Sequence, residues 1–475
     1  MEKVNNNIFH FSLNGVTIID TPDKNYFILV KPDNGAWITL ENEKLPIIKN
    51  IIQNGASSED FKGKYANDKV IFRQLFEKGI LNINNKAIVK ENWYECQTMS
   101  ENDFPSEIIL KYTKACNLRC SYCYAFSESN KNASMSNDTA LYIIEKVVNE
   151  FGDNYYNVNL HGGEPLLRYK DMIPLVKAVK KISKKLFFSM QTNGTMITKE
   201  IAKFIKEEDI GVGVSLDGVT ENTNGLRRDA LGQSTFSRSL NGIDLLMSEG
   251  LSPGILSVIT PDNQYELIEF LDFCIERGVK RFGYNFFIPT GRGTSEAHPL
   301  NLDNYIDTTL KLILKLNEAN RAVTSREDSI QIREISNVIQ NLVSWDRTNK
   351  CSQSPCGSGR KLLGFDTDGT IYACDDFINH REFSYGNVFK VDSLKDMIQS
   401  SPLTEQMLNH NINNIEECSQ CSWKKVCPAH CAADSFFNRG GLNKPHSQCD
   451  YYKRLIPLII ELIHYDKINP KLFKW

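Results

Sequence analysis

The chain has 475 residues, more than one ordinary hydrophobic core accommodates, so two or three domains are expected. Its 41% hydrophobic and 24% charged residues are typical of a soluble globular protein, and a net charge of −3 without a concentrated basic run does not favour nucleic acid as the main partner. The first residues lack the pattern of a signal peptide, and no uncharged apolar run reaches about 18 residues, so we expect a cytoplasmic protein without a membrane segment.

Residues 1–100 are predicted to form a small α+β module of winged-helix size. Strand-like runs come first, "GVTIID", "NYFILV" and "AWITL", and helical patterns follow, "LPIIKNIIQ" and "VIFRQLFEKGIL". The polar stretch "ENWYECQTMSENDFPS" then reads as a linker to the next domain.

Residues 101–325 are predicted to form a partial barrel. Six short apolar runs, from "EIILKYT" to "RFGYNFF", alternate with helical patterns such as "NDTALYIIEKVVNEF", which predicts parallel strands joined by right-handed crossovers. Two more units would be needed for a closed eight-stranded barrel, and the sequence offers none. We therefore expect an open (β/α)6 TIM-like barrel, with its site at the carboxyl ends of the strands.

Residues 326–475 are predicted to form a Cys-rich domain that depends on metal for its fold. The alternation of strands and helices stops here, and the run "LIPLIIELIHY" predicts a buried terminal helix. Eight of the thirteen cysteines fall in this region and three lie in "KACNLRCSYCYA". In a reducing compartment, such cysteines are more typical of metal ligands or catalytic groups than of disulfides. Of the other two, Cys274 is expected to pack in a helix core, and Cys96 has no predicted role.

The three-cysteine loop, Cys116, Cys120 and Cys123, directly follows the first barrel strand. Three thiolates can hold three irons of a cubane and leave the fourth iron without a protein ligand. The alternative is a zinc site completed by a distant residue such as His161. An incomplete ligand set is typical of a metal that takes part in chemistry, because structural sites are closed.

Polar motifs follow the next three strands, where an α/β site is expected. "HGGEP" (161–165) ends the second strand, "QTNGT" with Asn193 and Thr195 ends the third, and "SLDG" with Ser215 ends the fourth. "LRRDALGQSTF" follows, with Arg228 and its neighbour Arg227 as candidates for binding an anion. Taken singly, each motif is equally well explained as a turn, a helix cap or a surface arginine.

Together these motifs resemble the radical S-adenosylmethionine (SAM) enzymes. The loop matches their Cys-x3-Cys-x-aromatic-Cys signature, and "GGEP" matches their Gly-Gly-Glu-Pro motif. The resemblance implies that the open iron binds the amino and carboxylate groups of SAM, and that its reductive cleavage yields a 5′-deoxyadenosyl radical. It also implies SAM contacts from Tyr122, Gly162, Gly163, Glu164, Asn193, Ser215 and Arg228.

The C-terminal cysteines resemble the SPASM extension of radical SAM peptide-modifying enzymes. The resemblance implies two auxiliary 4Fe–4S clusters, the first held by Cys351, Cys356, Cys374 and Cys431, and the second by Cys418, Cys421, Cys427 and Cys449. It also allows an open iron in the first cluster, at the position of Cys351. Without the resemblance, the Cys-x2-Cys spacing would indicate two zinc sites.

Two further residues are candidates for catalysis. Asp375, in "YACDDF", stands where anaerobic sulfatase-maturating enzymes have the base that acts on the substrate, and a solvated acid is the alternative. Arg292, in "PTGRG" after the sixth strand, resembles a position of peptide-modifying relatives. We expect it to contact substrate, with a plain loop as the alternative.

The N-terminal module resembles, more loosely, the recognition element of enzymes that modify ribosomally made peptides (RiPPs). There a leader peptide adds as a strand to a free sheet edge; the alternative, a DNA-binding winged helix, is disfavoured because the segment is not basic. The sequence thus predicts a radical SAM/SPASM RiPP maturase that cross-links a precursor peptide, with a Cys thioether as the favoured bond. The implied electron donor is a reduced flavodoxin or ferredoxin. Carbon–carbon cross-linking, epimerisation, sulfatase maturation and, more remotely, a non-catalytic zinc protein remain the alternatives.

Overall fold

A computed structural model describes residues 9–21, 24–87, 103–125, 133–295, 300–325, 327–344 and 349–473. Most of the predicted linker, Cys96 and the predicted domain boundaries at residues 100 and 326 lie outside these ranges, so the boundaries stay a prediction. The first part of the chain contains, in order, β1 (His10–Ser12), β2 (Thr17–Asp20), β3 (Tyr26–Lys31), β4 (Ala36–Glu41), α1 (Leu45–Asn54), β5 (Ala56–Ser57), α2 (Lys69–Glu77), β6 (Asn82–Ile83) and β7 (Lys86–Ala87).

These N-terminal elements form the expected winged-helix-like α+β module. Strands β2, β3 and β4 make an antiparallel sheet in which Ile28 lies opposite Thr39. A second small sheet has the strand order β5-β1-β6-β7, and the β6–β7 hairpin follows α2 as a wing follows its helix. The helices begin and end where the sequence patterns change, since Pro46 opens α1 and Gly55 ends it with a positive φ of 69°.

Strand β3 is buried on both faces and divides its side chains between two cores. Successive side chains of a strand point to opposite faces. One face gives Phe27 and Leu29 to the core of the N-terminal module, and the other gives Tyr26, Ile28 and Val30 to the main core. The module therefore packs on the rest of the protein through the back of its own sheet.

Two contacts fix this packing at the C-terminal side. The ring of Tyr26 stacks on His464 with centroids 4.0 Å apart, and the Trp37 indole Nε1 donates a hydrogen bond of 2.8 Å to the Leu342 carbonyl. Both partners belong to C-terminal helices. The N-terminal module is thus held against the last third of the chain.

The central region has the alternating order that the sequence predicts, and all six predicted strands are present. Its elements are β8 (Glu107–Thr113), α3 (Asn137–Phe151), β9 (Tyr156–Gly162), α4 (Tyr169–Ile182), β10 (Leu186–Thr192), α5 (Lys199–Glu207), β11 (Ile210–Ser215), α6 (Phe236–Ser248), β12 (Gly254–Ile259), α7 (Leu267–Arg277), β13 (Arg281–Phe286) and α8 (Leu302–Arg321). Strands β8 to β13 are parallel and adjacent in chain order. Cys274 is fully buried on α7, as expected for a core residue.

The C-terminal region continues the barrel sheet. It contains β14 (Gln331–Ile332), α9 (Arg333–Val343), β15 (Leu362–Phe365), β16 (Thr370–Tyr372), β17 (Ser384–Asn387), α10 (Leu394–Ser400), α11 (Pro402–Asn409), α12 (Glu416–Ser419), α13 (Ala432–Arg439) and α14 (Cys449–His464). Within the described ranges the large sheet has the order β14-β13-β12-β11-β10-β9-β8-β15-β16-β17 and does not close.

The contact between β15 and β8 brings the Cys-rich region to the site. The two strands are parallel, with Leu363 opposite Ile108. Gly364 has no side chain, and a Cβ there would lie 2.9 Å from the Cys374 carbonyl carbon. The segment that carries Cys374 therefore crosses directly over β15.

The predicted terminal helix is confirmed as α14. Four of its apolar side chains are fully buried, Leu455, Ile456, Ile459 and Ile460. The described helices include none that is both long enough and apolar enough to cross a membrane.

Candidate functional site

The three-cysteine loop follows the carboxyl end of β8 and contacts residues 291–292. Gly291 has a φ of 64°, and a Cβ at this position would lie 2.2 Å from the Cys123 carbonyl oxygen. Arg292 donates a hydrogen bond of 2.9 Å from its backbone N–H to that carbonyl, and another of 2.9 Å from its Nε to the Cys120 carbonyl. Arg292, expected to contact substrate, therefore has an observed role in positioning the cysteine loop.

The Gly-Gly-Glu-Pro motif at the end of β9 packs against the backbone that leads into this loop. A Cβ on Gly162 would lie 2.2 Å from the Thr113 oxygen, and one on Gly163 would lie 1.9 Å from the Ala115 oxygen. The Gly163 N–H donates a hydrogen bond of 2.7 Å to Thr113. The missing side chains of these glycines thus let the end of β9 approach the cysteine loop closely, and the SAM contacts assigned to them stay a prediction.

Glu164 is fully buried and links the ends of neighbouring strands. Its carboxylate accepts hydrogen bonds from Thr192 Oγ1 at 2.7 Å, from the Asn193 N–H at 2.8 Å and from the Leu166 N–H at 3.1 Å. Burial raises its pKa, and these three donors oppose that effect. Glu164 braces β9 against β10, and its assignment to the SAM ammonium stays a prediction.

Asn193 extends from the end of β10 to the cysteine loop. Its Nδ2 donates a hydrogen bond of 2.8 Å to Asn117 Oδ1 and lies 4.0 Å from Cys116 Sγ, while the Leu118 N–H lies 3.3 Å from the same sulfur. Thr195 donates a hydrogen bond of 2.7 Å from its hydroxyl to Asn193 Oδ1. Hydrogen-bond donors around a cysteine sulfur are typical of a thiolate that binds an iron–sulfur cluster.

Ser215 lies at the end of β11, one strand further along the sheet. Its hydroxyl accepts a hydrogen bond of 2.8 Å from Gln191 Nε2. Gln191 belongs to β10, so this contact ties the ends of two neighbouring strands together. The position agrees with the predicted edge of the site, and the SAM contact assigned to Ser215 stays a prediction.

The two adjacent arginines that follow β11 have different environments. Arg228 is exposed and donates a hydrogen bond of 3.0 Å to the Gly232 carbonyl. Arg227 is only 8% exposed, donates a hydrogen bond of 2.7 Å to the Tyr122 hydroxyl and lies 4.0 Å from Asp217. The side chain of Arg227 therefore contacts the cysteine loop, whereas Arg228 contacts it through its backbone carbonyl, which accepts a hydrogen bond of 2.6 Å from the Arg119 N–H. The SAM contact assigned to Arg228 stays a prediction.

Asp217 belongs to the quoted "SLDG" motif, and sequence reasoning did not single it out. Its carboxylate accepts a hydrogen bond from the Tyr122 hydroxyl and another of 3.0 Å from the Val258 N–H. Tyr122, the aromatic residue of the cysteine motif, is thereby anchored to Asp217 and Arg227. These contacts tie the part of the loop between Cys120 and Cys123 to the segment that follows β11.

Several of the C-terminal cysteines lie near other members of the set to which the resemblance assigns them, and the ligand sets themselves stay a prediction. Burial raises the pKa of the Cys374 thiol well above its usual value, and the neighbouring Asp376, Asp375, Cys431 and Cys356 raise it further. Burial likewise raises the pKa of Cys431, and its neighbours include Cys351 and Cys356. We call these four the first auxiliary set: Cys351, Cys356, Cys374 and Cys431.

The second auxiliary set surrounds Cys427. Burial raises the pKa of its thiol, and Cys421, Cys449 and Cys418 raise it further. The Trp423 N–H lies 3.4 Å from Cys421 Sγ. Buried thiols stay protonated because their thiolate forms would repel one another, and they lose their protons when a cation binds them. Both sets therefore have the donor chemistry that fits iron–sulfur clusters.

A small cavity lies between the three-cysteine loop and the first auxiliary set. It is partly open to solvent, holds about 190 Å³ of empty space including that open part, and is lined by Ile109, Lys111, Tyr124, His161, Gly162, Asp375 and Ile378. We call it the inner cavity. It connects residues of β8 and β9 with the segment that follows Cys374.

Polar groups converge in the inner cavity. The Tyr124 hydroxyl donates a hydrogen bond of 3.3 Å to Asp375 Oδ2 and lies 3.2 Å from His161 Nδ1. The same His161 nitrogen accepts a hydrogen bond of 2.9 Å from the Gly162 N–H, and burial lowers the His161 pKa. The sequence singled out Asp375 but missed Tyr124 and Lys111, although a lysine inside a buried strand is itself a signal.

Comparison with known families identifies this arrangement. Residues 110–302 match the Radical SAM superfamily. The chain belongs to the radical SAM superfamily. Residues 356–422 of this radical SAM protein match SPASM, an iron–sulfur cluster-binding domain. Its cofactors are accordingly SAM and 4Fe–4S clusters, while the residues that hold each of them remain those proposed from the motifs.

The radical SAM protein is similar to curated proteins that act on other proteins or peptides. It is 23% identical to the cysteine-type anaerobic sulfatase-maturating enzyme of Clostridium novyi, over 76% of this chain and 96% of that enzyme. It is 26% identical to the antilisterial bacteriocin subtilosin biosynthesis protein AlbA of Bacillus subtilis, over 78% of this chain and 75% of that protein.

Solved structures share its fold. Native anSMEcpe with bound AdoMet has a TM-score of 0.64 and 20% identity, and the match covers 76% of this chain and 98% of the other. Streptococcus suis SuiB bound to its precursor peptide SuiA has a TM-score of 0.56 and 15% identity, and the match covers 91% of this chain and 99% of the other.

Proposed function

We propose that this radical SAM protein is a peptide maturase that binds a precursor peptide and oxidises one of its core residues to form a Cys thioether. The inner cavity carries the proposal. Tyr124 directly follows Cys123, Asp375 directly follows Cys374, and the two side chains meet by a hydrogen bond of 3.3 Å. A substrate group in this cavity would contact both cysteine regions at once.

The cysteines assigned above would hold the cofactors, with the three-cysteine loop binding the cluster that takes SAM. When bound, that cluster supplies the electron for SAM cleavage to a hydrogen-abstracting radical, and the auxiliary clusters supply an acceptor for the electron left over when the substrate is oxidised. The protein's own contribution is to orient the substrate, exclude water and accept a proton.

Asp375 is the residue that we assign as proton acceptor. Formation of a thioether from a thiol and a C–H group removes two hydrogens from the peptide. One leaves as a hydrogen atom, and the other leaves the thiol as a proton, for which a positioned carboxylate is a suitable base. Tyr124 fixes the orientation of that carboxylate by its hydrogen bond.

The N-terminal module supports a precursor peptide as the substrate. The likeness to SuiB spans 91% of this chain, whereas the likeness to anSMEcpe spans 76%. In the described residues, β2 pairs with β3 alone and forms an edge of the three-stranded sheet. We assign the leader peptide to an edge of this sheet, where an added strand gains main-chain hydrogen bonds.

Sulfatase maturation is the second candidate, and the position of Asp375 favours it. The likeness to the cysteine-type sulfatase-maturating enzyme spans 76% of this chain, and Asp375, directly after Cys374, lines the inner cavity. The additional N-terminal module argues for a ribosomal peptide instead. Carbon–carbon cross-linking and epimerisation would use the same cavity and are distinguished by the product.

A reduced flavodoxin or ferredoxin and a cytoplasmic location complete the proposal. SAM cleavage consumes an electron of low potential, which such donors supply. Free thiols that must ligate iron are kept reduced in the cytoplasm.

Mass spectrometry of a co-expressed peptide tests the proposed function. A short Cys-rich reading frame beside the gene is expressed with the wild-type enzyme or with a Cys116→Ala variant as a control. Loss of two hydrogen atoms per bond, with a free thiol consumed, is expected from the wild type alone. An unchanged mass with inverted residues would indicate epimerisation. An unchanged peptide together with oxidation of a sulfatase cysteine would establish the second candidate.

A further inference from the structure

Lys111 is a buried cation whose partner is not among the described residues. It lies on β8, is 4% exposed and lines the inner cavity. No acceptor in the described part of the chain lies within hydrogen-bond distance of its Nζ. A charged group taken out of water is normally paired, because an isolated buried charge is costly.

The two carboxylates that act on the Lys111 pKa, Asp366 and Asp375, both accept hydrogen bonds from other groups. Asp366 accepts a hydrogen bond of 2.7 Å from Lys114 Nζ, and Asp375 accepts one from the Tyr124 hydroxyl. Burial lowers the Lys111 pKa to about 8, and Asp366 opposes this effect more strongly than the other neighbours. Lys111 therefore lines the cavity without an ion pair to any carboxylate in the described part of the chain.

We propose that Lys111 binds a carboxylate of the substrate peptide, and so makes the inner cavity selective for an acidic side chain next to the residue that is modified. This inference rests on the proposed function, since it names a feature of the peptide. It assigns Lys111 to substrate recognition and leaves the proton transfer to Asp375.

The carboxylate of SAM is the other source of the same chemistry, and the sheet order favours the peptide. Of the residues assigned to SAM, Asn193 and Ser215 lie at the ends of β10 and β11, and Gly162, at the end of β9, also lines the inner cavity. Lys111 lies on β8, whose neighbours are β9 and β15, and its cavity is completed by Asp375 and Ile378. Lys111 thus belongs to the side of the site that faces the first auxiliary set.

Binding of two small probes to the reconstituted holoenzyme tests the proposal. N-acetylglutamic acid α-amide carries a single side-chain carboxylate, and N-acetylglutamine α-amide is its uncharged isostere. Their dissociation constants are measured by anaerobic saturation-transfer NMR, with and without excess SAM. The proteins are the wild type, Lys111→Gln, Lys111→Met and a control, Lys177→Gln, at an exposed position of α4.

The wild type and the control are expected to bind the carboxylate probe about tenfold or more tightly than the amide, with or without SAM. The Lys111 variants are expected to bind both probes equally. Equal binding in the wild type, or an intact preference in folded Lys111 variants, overturns the proposal. Displacement of the acidic probe by SAM overturns it in favour of the SAM carboxylate.

The role of Lys111 and the proposed peptide oxidation can be refuted independently of each other. The wild-type comparison stands even where a Lys111 variant does not fold, because it needs no substitution. A holoenzyme that modifies its peptide but shows no carboxylate preference refutes the role of Lys111 alone. A clear preference in an enzyme that leaves every co-expressed peptide unchanged refutes the proposed reaction and retains the binding site.

Discussion

The phenol of Tyr124 donates a hydrogen bond of 3.3 Å to the carboxylate of Asp375, although 251 positions separate the two residues in the chain. Each of them directly follows a cysteine that we assign to an iron–sulfur cluster, Cys123 and Cys374. This contact joins the radical-forming side of the site to the auxiliary side. It also depends on the parallel pairing of β15 with β8, which brings the C-terminal region to the cavity.

Removal of the Asp375 charge is expected to stop peptide oxidation without stopping SAM cleavage. Asp375→Asn should lower the rate of peptide modification about a hundredfold or more, because the proton loses its acceptor. Formation of 5′-deoxyadenosine and of modified peptide is measured by mass spectrometry in the same reaction. Asp392→Asn, at an exposed position, is the control. Equal loss of both products in Asp375→Asn would show that the carboxylate is needed before substrate oxidation.

Tyr124→Phe is expected to have a smaller effect that disappears when Asp375 is already changed. The phenol orients the carboxylate, so its removal matters only while a carboxylate is present. The double variant Tyr124→Phe/Asp375→Asn should therefore be no slower than Asp375→Asn. If the fold-losses of the two single variants in the rate of peptide modification multiply in the double variant, the two residues act independently and this coupling is contradicted.

Gly163→Ala is expected to displace the three-cysteine loop. The added Cβ would lie 1.9 Å from the Ala115 oxygen. Its nearest neighbours are backbone atoms of Lys114 and Ala115, so no flexible side chain can move out of the way. Iron per chain should fall by about four, from about twelve, as one of three cubanes is lost. Gly63→Ala is the matched control, because a Cβ there meets nothing within 4 Å. Full iron content in Gly163→Ala would show that the loop adapts.

The adjacent arginines after β11 are expected to differ in their effect on stability. Arg227→Met breaks a buried arrangement with Tyr122 and Asp217 and should lower the free energy of unfolding by about 3–5 kcal/mol. Arg228→Met should change it by less than about 0.5 kcal/mol, because that side chain is exposed. Denaturant unfolding of both variants gives the comparison. A large loss of unfolding free energy in Arg228→Met would contradict the observed exposure of that side chain.

Carboxylate binding through Lys111 is expected to weaken as the pH rises. The titratable groups that act on the Lys111 pKa are Asp366, Lys114, Cys123 and Asp375, and the ring of His161 lines the same cavity. Burial lowers the Lys111 pKa to about 8, and a lysine is charged below its pKa. The carboxylate probe should therefore bind fully at neutral pH, and its affinity should fall as the pH rises through about 8. The acidic probe itself stays ionised over the whole range. Affinity that is flat or increases up to about pH 9 would contradict the assignment.

Local patterns in the sequence were sufficient for much of the architecture. The six barrel strands follow from the alternation of apolar runs with helical periodicity, and the terminal helix from "LIPLIIELIHY". The division of the C-terminal cysteines into two sets comes from the family pattern alone, since their interleaved order carries no local signal, and it stays a prediction.

Contacts between distant segments were beyond local patterns. The pairing of Leu363 with Ile108 joins segments some two hundred and fifty residues apart, and nothing in either run specifies its partner. The run "NYFILV" indicates a buried strand, but its division between two cores depends on what packs behind the sheet. The burial of Arg227 and the exposure of Arg228 could not be predicted for a similar reason, because adjacent loop residues have no periodicity that distinguishes a buried from an exposed side chain.

Electron paramagnetic resonance of the reduced, oxygen-protected enzyme, recorded before and after the addition of SAM, tests the central claim most directly. The account predicts that SAM changes the spectrum of the cluster on Cys116, Cys120 and Cys123, and that Cys116→Ala abolishes this change while the auxiliary signals remain. A wild-type spectrum that stays the same at saturating SAM would contradict it.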